Sequence, residues 1–131
     1  NKIGGHNEFG WQDVSVTGAA AADPVFRVLP DIFPIFQWHE DSFTLPPRAT
    51  LLATGAKVAN QAYRIGRAVY ATQFHFEADR KLVSEWNETF ADAVNRIDSD
   101  WLAKYPGLAS EKGPQADAAG AALARAWIAA I

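Results

Sequence analysis

The hydrophobic period changes once along this chain, at Asp79, and that change narrows what the chain can fold into. Beyond it, Leu82, Trp86, Phe90, Val94, Ile97 and Trp101 recur every three or four residues, which lines them up on one face of a helix or of two helices in sequence. This stripe is expected to face a core. Tyr105-Pro106-Gly107 is expected to end it, and Gly113-Pro114 to restart helix over residues 115–131 with Leu123, Trp127, Ile128 and Ile131 as the apolar edge. Before Asp79 the chain is cut into short pieces by Gly and Pro. Val14-Ser15-Val16-Thr17 alternates with the strand period of two, and residues 35–39 read as extended, with an exit turn at Glu40-Asp41-Ser42. Residues 49–54, 60–65 and 68–76 read as strands joined by turns at 55–57 and at Gly66-Arg67. Residues 1–10, rich in Gly and Asn, read as loop, and Asp23-Pro24 as the cap and start of one helical turn. The fold class expected is α/β, a strand-rich first half followed by C-terminal helices.

A chain of 131 residues fits one domain, so residues 1–131 are expected to form a single unit. Five Trp and eight Phe in a chain that is 49% apolar supply a real core. The net charge of −3, with Lys and Arg scattered, argues against nucleic acid as a partner. No apolar run approaches the roughly 20 residues of a membrane span, and the order of a signal peptide is absent, so a cytoplasmic protein with no membrane partner is expected. The sequence has no Cys, which excludes disulfides, thiolate metal sites and a cysteine nucleophile within it. It has no Met either and begins abruptly at Asn1-Lys2-Ile3-Gly4-Gly5. An upstream part is therefore expected to be missing.

Ala71-Thr72-Gln73-Phe74-His75-Phe76-Glu77 is the stretch with chemical interest. On a strand, Gln73, His75 and Glu77 share one face, while Phe74 and Phe76 share the other and enter the core. With Cα atoms about 6.5–7 Å apart, the Glu77 carboxylate reaches the Nδ1–H of His75. That contact fixes the tautomer, leaves Nε2 free as a base, and stabilises the imidazolium. Such a pair is a base with its orienter, lacking a nucleophile. The plainer reading is a surface strand whose His and Glu interact weakly on its wet side. A zinc site would have to draw on His6, His39, Asp41, His75 and Glu77, whose spacing matches no H-E-x-x-H pattern, so no metal and no cofactor are expected. His39 is read as a strand-end histidine against Trp38, Asp41 as a turn cap, and His6 as solvated.

Gln73-Phe74-His75-Phe76-Glu77 resembles the Q-F-H-P-E signature of class I (triad-type) glutamine amidotransferases, in which the His and Glu complete a Cys-His-Glu triad. Trp38-His39-Glu40-Asp41-Ser42-Phe43-Thr44-Leu45-Pro46-Pro47 resembles the W-H-G-D-x-F-x-L-P segment of stand-alone, GMP synthase-like members. Asn60-Gln61-Ala62-Tyr63-Arg64-Ile65-Gly66 resembles their N-Q-A-F-R-x-G strand, and Glu8-Phe9-Gly10-Trp11 their E-I-G-W. Together the four motifs cover residues 4–77 in the family's order.

The resemblance implies a flavodoxin-like α/β fold, of which this chain is the C-terminal portion, with the nucleophile-bearing upstream part absent. It implies His75 as the catalytic base and Glu77 as its orienter. Trp38, His39, Glu40 and Asp41 map onto a segment that meets the substrate's amino-acid end. Glu40 stands where many relatives have Gly, and Phe76 replaces the commoner Pro. The activity implied is hydrolysis of the glutamine side-chain amide through a thioester, releasing ammonia, with the chain alone inactive. The alternatives are a γ-glutamyl peptidase on the same fold and a non-catalytic relative that binds a partner. The partners implied are glutamine or a γ-glutamyl substrate, the N-terminal half carrying the Cys, and a synthase or other acceptor of the ammonia.

Overall fold

The computed structural model describes residues 2–131, with side chains from residue 4 onward. Five strands, β1 (Lys2–Val16), β2 (Ile32–Phe43), β3 (Ala49–Gly55), β4 (Ala62–Ile65) and β5 (Val69–Thr72), are followed by four helices. These are α1 (Arg80–Thr89), α2 (Ala91–Ile97), α3 (Trp101–Glu111) and α4 (Gly113–Ala130). All pairings are antiparallel, in the order β2-β1-β3-β4-β5. Just past β5, His75 forms an isolated bridge to Phe36 of β2, at the opposite edge. The sheet is therefore curled, so that its two edges approach each other.

The alternation of side chains along the strands builds a core on each face. Val14, Phe33, Ile35, Leu52 and Phe74 pack with Val25, Phe26 and Leu123 on one side. Trp11 and Phe36 pack with Val83, Val94 and Trp101 on the other. Each of Phe26 and Phe36, 1% exposed, contributes about 1.5–3 kcal/mol by leaving water. Between β1 and β2, the expected helical turn forms as a short 3-10 segment, Phe26–Val28. Asp23 holds its entry by accepting from the main-chain N–H groups of Val25 (2.9 Å) and Phe26 (3.0 Å).

Several elements depart from the sequence reading, each for a local reason. From residue 2 on, the expected loop of residues 1–10 is strand, because β1 pairs with β2 from Lys2↔Phe43 onward; Asn1 lies outside the described residues. The glycines serve a register shift between Gly4 and Glu8, not a turn. Gly10 is the most constrained of them: its φ is +88°, and a Cβ there would sit 2.8 Å from the Trp101 ring. β2 likewise runs through Pro34 and through the expected exit turn at 40–42. As the sheet's edge strand, it tolerates a residue with no N–H to donate.

Pro106 lies inside α3 instead of ending it. The helix loses one bond near the exposed Leu102, but Tyr105 ties it down, its hydroxyl donating to the Arg80 carbonyl (3.1 Å) and its ring stacking on Trp11. The expected core stripe is only partly inside. Val94 and Trp101 are buried and Leu82 and Trp86 half-buried, but Phe90 is 46% and Ile97 39% exposed, because the helix breaks at Phe90 and the phase shifts. Asn87 takes an inner position instead and accepts from Trp101 Nε1 (2.8 Å). On α4, Leu123 is buried, whereas Trp127, Ile128 and Ile131 are exposed. Its inner face is Ala116, Ala119, Gly120 and Leu123, small residues that let the helix lie close to the sheet.

Candidate active site

The segment after β5 is anchored residue by residue. The Gln73 N–H donates to the Gln61 carbonyl (2.7 Å), Phe74 is buried edge-on against Phe33, and the His75 N–H donates to the Phe36 carbonyl (2.9 Å). Phe76 and Glu77 then turn, and Asp79 starts α1 by accepting from the Leu82 N–H (2.8 Å). His75 and Glu77 are thus not on a continuous strand, as their spacing suggested. The strand stops at Thr72, and a turn brings the two side chains together.

They meet all the same. His75 Nδ1 lies 2.7 Å from Glu77 Oε1, with the side chains 32% and 52% exposed. At that exposure the pair adds no more than about 1 kcal/mol to stability, so its consequence is orientation. The imidazole stands edge-on to Trp86, centroids 5.5 Å apart. Nε2 is not free, contrary to the sequence expectation: it lies 3.2 Å from the Trp38 carbonyl oxygen. A carbonyl only accepts, so this contact is a hydrogen bond when Nε2 carries a proton.

Of the other predicted site residues, Trp38 comes to His75 through its main chain, while its ring packs among Phe9, Trp86 and Phe90. His39, its neighbour, points to the other side of β2 and is not at a strand end. Its Nε2 lies 3.1 Å from Glu8 Oε2 and its Nδ1 2.9 Å from the Asp41 carbonyl. Glu40 is exposed. Asp41 lies in β2 opposite Gly4, not in a turn. His6 is exposed on β1. Among the described residues, no three His, Asp or Glu side chains gather as a metal site needs.

Three residues that matter here escaped the sequence reading. Glu8 and Gln61 lie inside motifs quoted for their resemblance, but nothing in their spacing showed that they meet: Gln61 Nε2 donates to Glu8 Oε2 (2.9 Å). Burial pushes the Glu8 carboxyl up. Hydrogen bonds from His39 and Gln61, with the charges of His39 and Lys57, outweigh it and hold the group below its ordinary value. The third is Gly120 of α4. A Cβ there would fall inside the 3.0 Å that real Cβ atoms keep from other atoms, against the carbonyl oxygen of Phe76, between His75 and Glu77.

A curled antiparallel sheet followed by packed C-terminal helices makes an α/β chain, and its neighbours among solved structures have the flavodoxin-like fold of class I glutamine amidotransferases. Among solved structures, the chain is similar to a glutamine amidotransferase from Thermotoga maritima, at 28% identity and a TM-score of 0.77, covering 97% of this chain and 54% of that one. It is also similar to a putative GMP synthase subunit from Thermoplasma acidophilum, at 33% identity and a TM-score of 0.53, over 60% of this chain and 39% of that one. A glutamine amido transferase from Methylobacillus flagellatus shares the fold at 19% identity and a TM-score of 0.65, over 96% of this chain and 55% of that one. The chain thus spans about half the length of the solved chains it resembles. No protein-family model and no curated protein matches it by sequence. Among the described residues, no helix is long and apolar enough to cross a membrane.

Proposed function

We propose that this chain is the C-terminal portion of a class I glutamine amidotransferase domain and supplies His75 and Glu77 to a Cys-His-Glu triad whose Cys comes from the part of the domain outside these residues. The observation that carries the reading is the 2.7 Å contact between His75 Nδ1 and Glu77. With Nδ1–H directed at Glu77, Nε2 is the ring nitrogen left for proton transfer once it parts from the Trp38 carbonyl 3.2 Å away. Similarity to glutamine amidotransferases over nearly the whole chain supports it.

In the complete domain, an unprotonated Nε2, no longer bonded to the Trp38 carbonyl, takes the thiol proton, and the thiolate attacks the side-chain carbonyl carbon of glutamine. The C–N bond breaks as Nε2–H protonates the leaving ammonia, giving a γ-glutamyl thioester. Nε2 then takes a proton from water, the hydroxide attacks the thioester, and glutamate and the thiol are released. Glu77 stabilises the imidazolium in both halves. Main-chain groups of Trp38, His39, Glu40 and Asp41 bind the amino-acid end of the substrate. A synthase or other acceptor that consumes the ammonia belongs to the same proposal, since one similar structure is that of a putative GMP synthase component. Alone the chain holds no thiol and is inactive.

The test is the complete domain, carrying the nucleophile-bearing half, assayed for ammonia release from glutamine and for amino-acid release from γ-glutamyl peptides. Ammonia release from glutamine is the expected result. Faster peptide cleavage would move the substrate to a γ-glutamyl peptide, and no turnover of either would overturn the proposal.

A further inference from the structure

Below the plane of β2, opposite the Trp38 ring, lies a polar cluster that the triad does not use. We infer that Glu8 and His39 are positioning residues: a buried charge pair that holds the main chain at residues 38–41 and, through it, the imidazole of His75. The inference rests on His75 being the base.

Glu8 and His39 face each other across β1 and β2, with side chains only 4% and 8% exposed. Both ring nitrogens of His39 meet atoms that only accept, the Asp41 carbonyl at 2.9 Å and the Glu8 carboxylate at 3.1 Å. A neutral ring satisfies one of these and sets a lone pair against the other oxygen. Both contacts are hydrogen bonds only when the ring carries two N–H groups, as an imidazolium beside a carboxylate would. The Glu8 carboxyl, held below its ordinary value, agrees. A buried ion pair is poor grounds for stability, because desolvating the two charges offsets their attraction. What this pair does instead is fix geometry.

Two routes connect it to His75. The first runs from His39 to the adjacent Trp38 carbonyl, 3.2 Å from His75 Nε2, while the Nδ1 contact to Asp41 staples the chain across Glu40. The second runs from Glu8 to Gln61, whose side chain also takes a bond from Gln37 Nε2 (2.8 Å) and donates to the Val58 carbonyl (3.0 Å). The Gln61 main-chain carbonyl then accepts from the Gln73 N–H, two residues before His75. The base is held from both sides by backbone that the one carboxylate organises.

The test is long-range ¹H–¹⁵N NMR of the imidazoles in this chain, which has three histidines. In the wild type at neutral pH, His39 should show two ring N–H protons protected from exchange; a single one would overturn the inference. Glu8→Gln should abolish one of them and shift the His75 ring signals. His39→Gln, which keeps donor and acceptor but no charge, should move His75 in the same way. Two folded variants with His75 unmoved would overturn it as well. This readout needs no turnover, so it separates the two proposals: His75 can follow Glu8 even if the complete domain proves inactive.

Discussion

Replacing Gly120 with alanine tests how the site is held in place. Most helical glycines gain from this change, about 1 kcal/mol in propensity. At Gly120 the new methyl would collide with the carbonyl oxygen of Phe76, with the carbonyl carbon 3.3 Å away. Neither partner is a flexible side-chain end, so α4 or the 75–77 turn must shift by several tenths of an ångström or more. Overpacking of this kind costs about 1–3 kcal/mol, which cancels or outweighs the propensity gain and leaves a net loss of up to about 2 kcal/mol. In a domain of this size the melting temperature falls by up to about 10 °C. Gly107 in α3 is the internal control, since a Cβ there meets nothing within 4 Å. Gly107→Ala should hold or raise the melting temperature. Because the displaced carbonyl lies between His75 and Glu77, Gly120→Ala should also shift the His75 ring signals, and Gly107→Ala should not. Calorimetric melts of the two variants, with imidazole NMR, decide it. If Gly120→Ala stabilises the chain as much as Gly107→Ala does, the close packing of α4 on the turn is wrong.

Glu77→Gln in the complete domain keeps an acceptor for Nδ1–H but removes the charge, and should lower kcat by roughly 10²–10⁴-fold; a wild-type kcat would remove Glu77 from the triad. The lowered value of Glu8 means that its contribution to stability is present above the ordinary value of 4.5 and is lost as pH falls through the folded value. Melts of Glu8→Gln should therefore depend less on pH below about 4.5 than those of wild type, and parallel curves would contradict this. Asp23→Ala should cost about 3–5 kcal/mol in urea denaturation, because it strands Arg64 beside a buried site and removes the acceptor of two main-chain N–H groups; a loss under 1 kcal/mol would show that water replaces the carboxylate. Burial and the Asp23 charge beside it raise Tyr70 above 10.0, so folding favours its neutral form and loses stability as pH climbs past that value. Tyr70→Phe should melt with less dependence on alkaline pH.

The approximate positions of the strands and the helical second half could be read from residue patterns, because period two and period 3.6 survive in a single sequence, but the order of the strands in the sheet could not. What escaped reading was set by neighbours far along the chain. Gly and Asn in residues 1–10 look alike in a loop and in a strand with a bulge; only pairing with β2 decides. Pro34 breaks an inner strand but not an edge one, and nothing local marks an edge. Pro106 reads as a stop until the Tyr105 anchor is seen. The contact between His75 and Glu77 was foreseen from strand geometry, yet a turn makes it. The partner of His39 lies 31 residues earlier on another strand, out of reach of any spacing argument.

The central claim is that His75 moves the proton in amide hydrolysis. Ammonia release from glutamine by the complete domain, measured for wild type and His75→Ala side by side, tests it most directly. The account predicts that His75→Ala loses about 10⁴-fold or more in kcat while still folding; an alanine variant that turns over at the wild-type rate would contradict it.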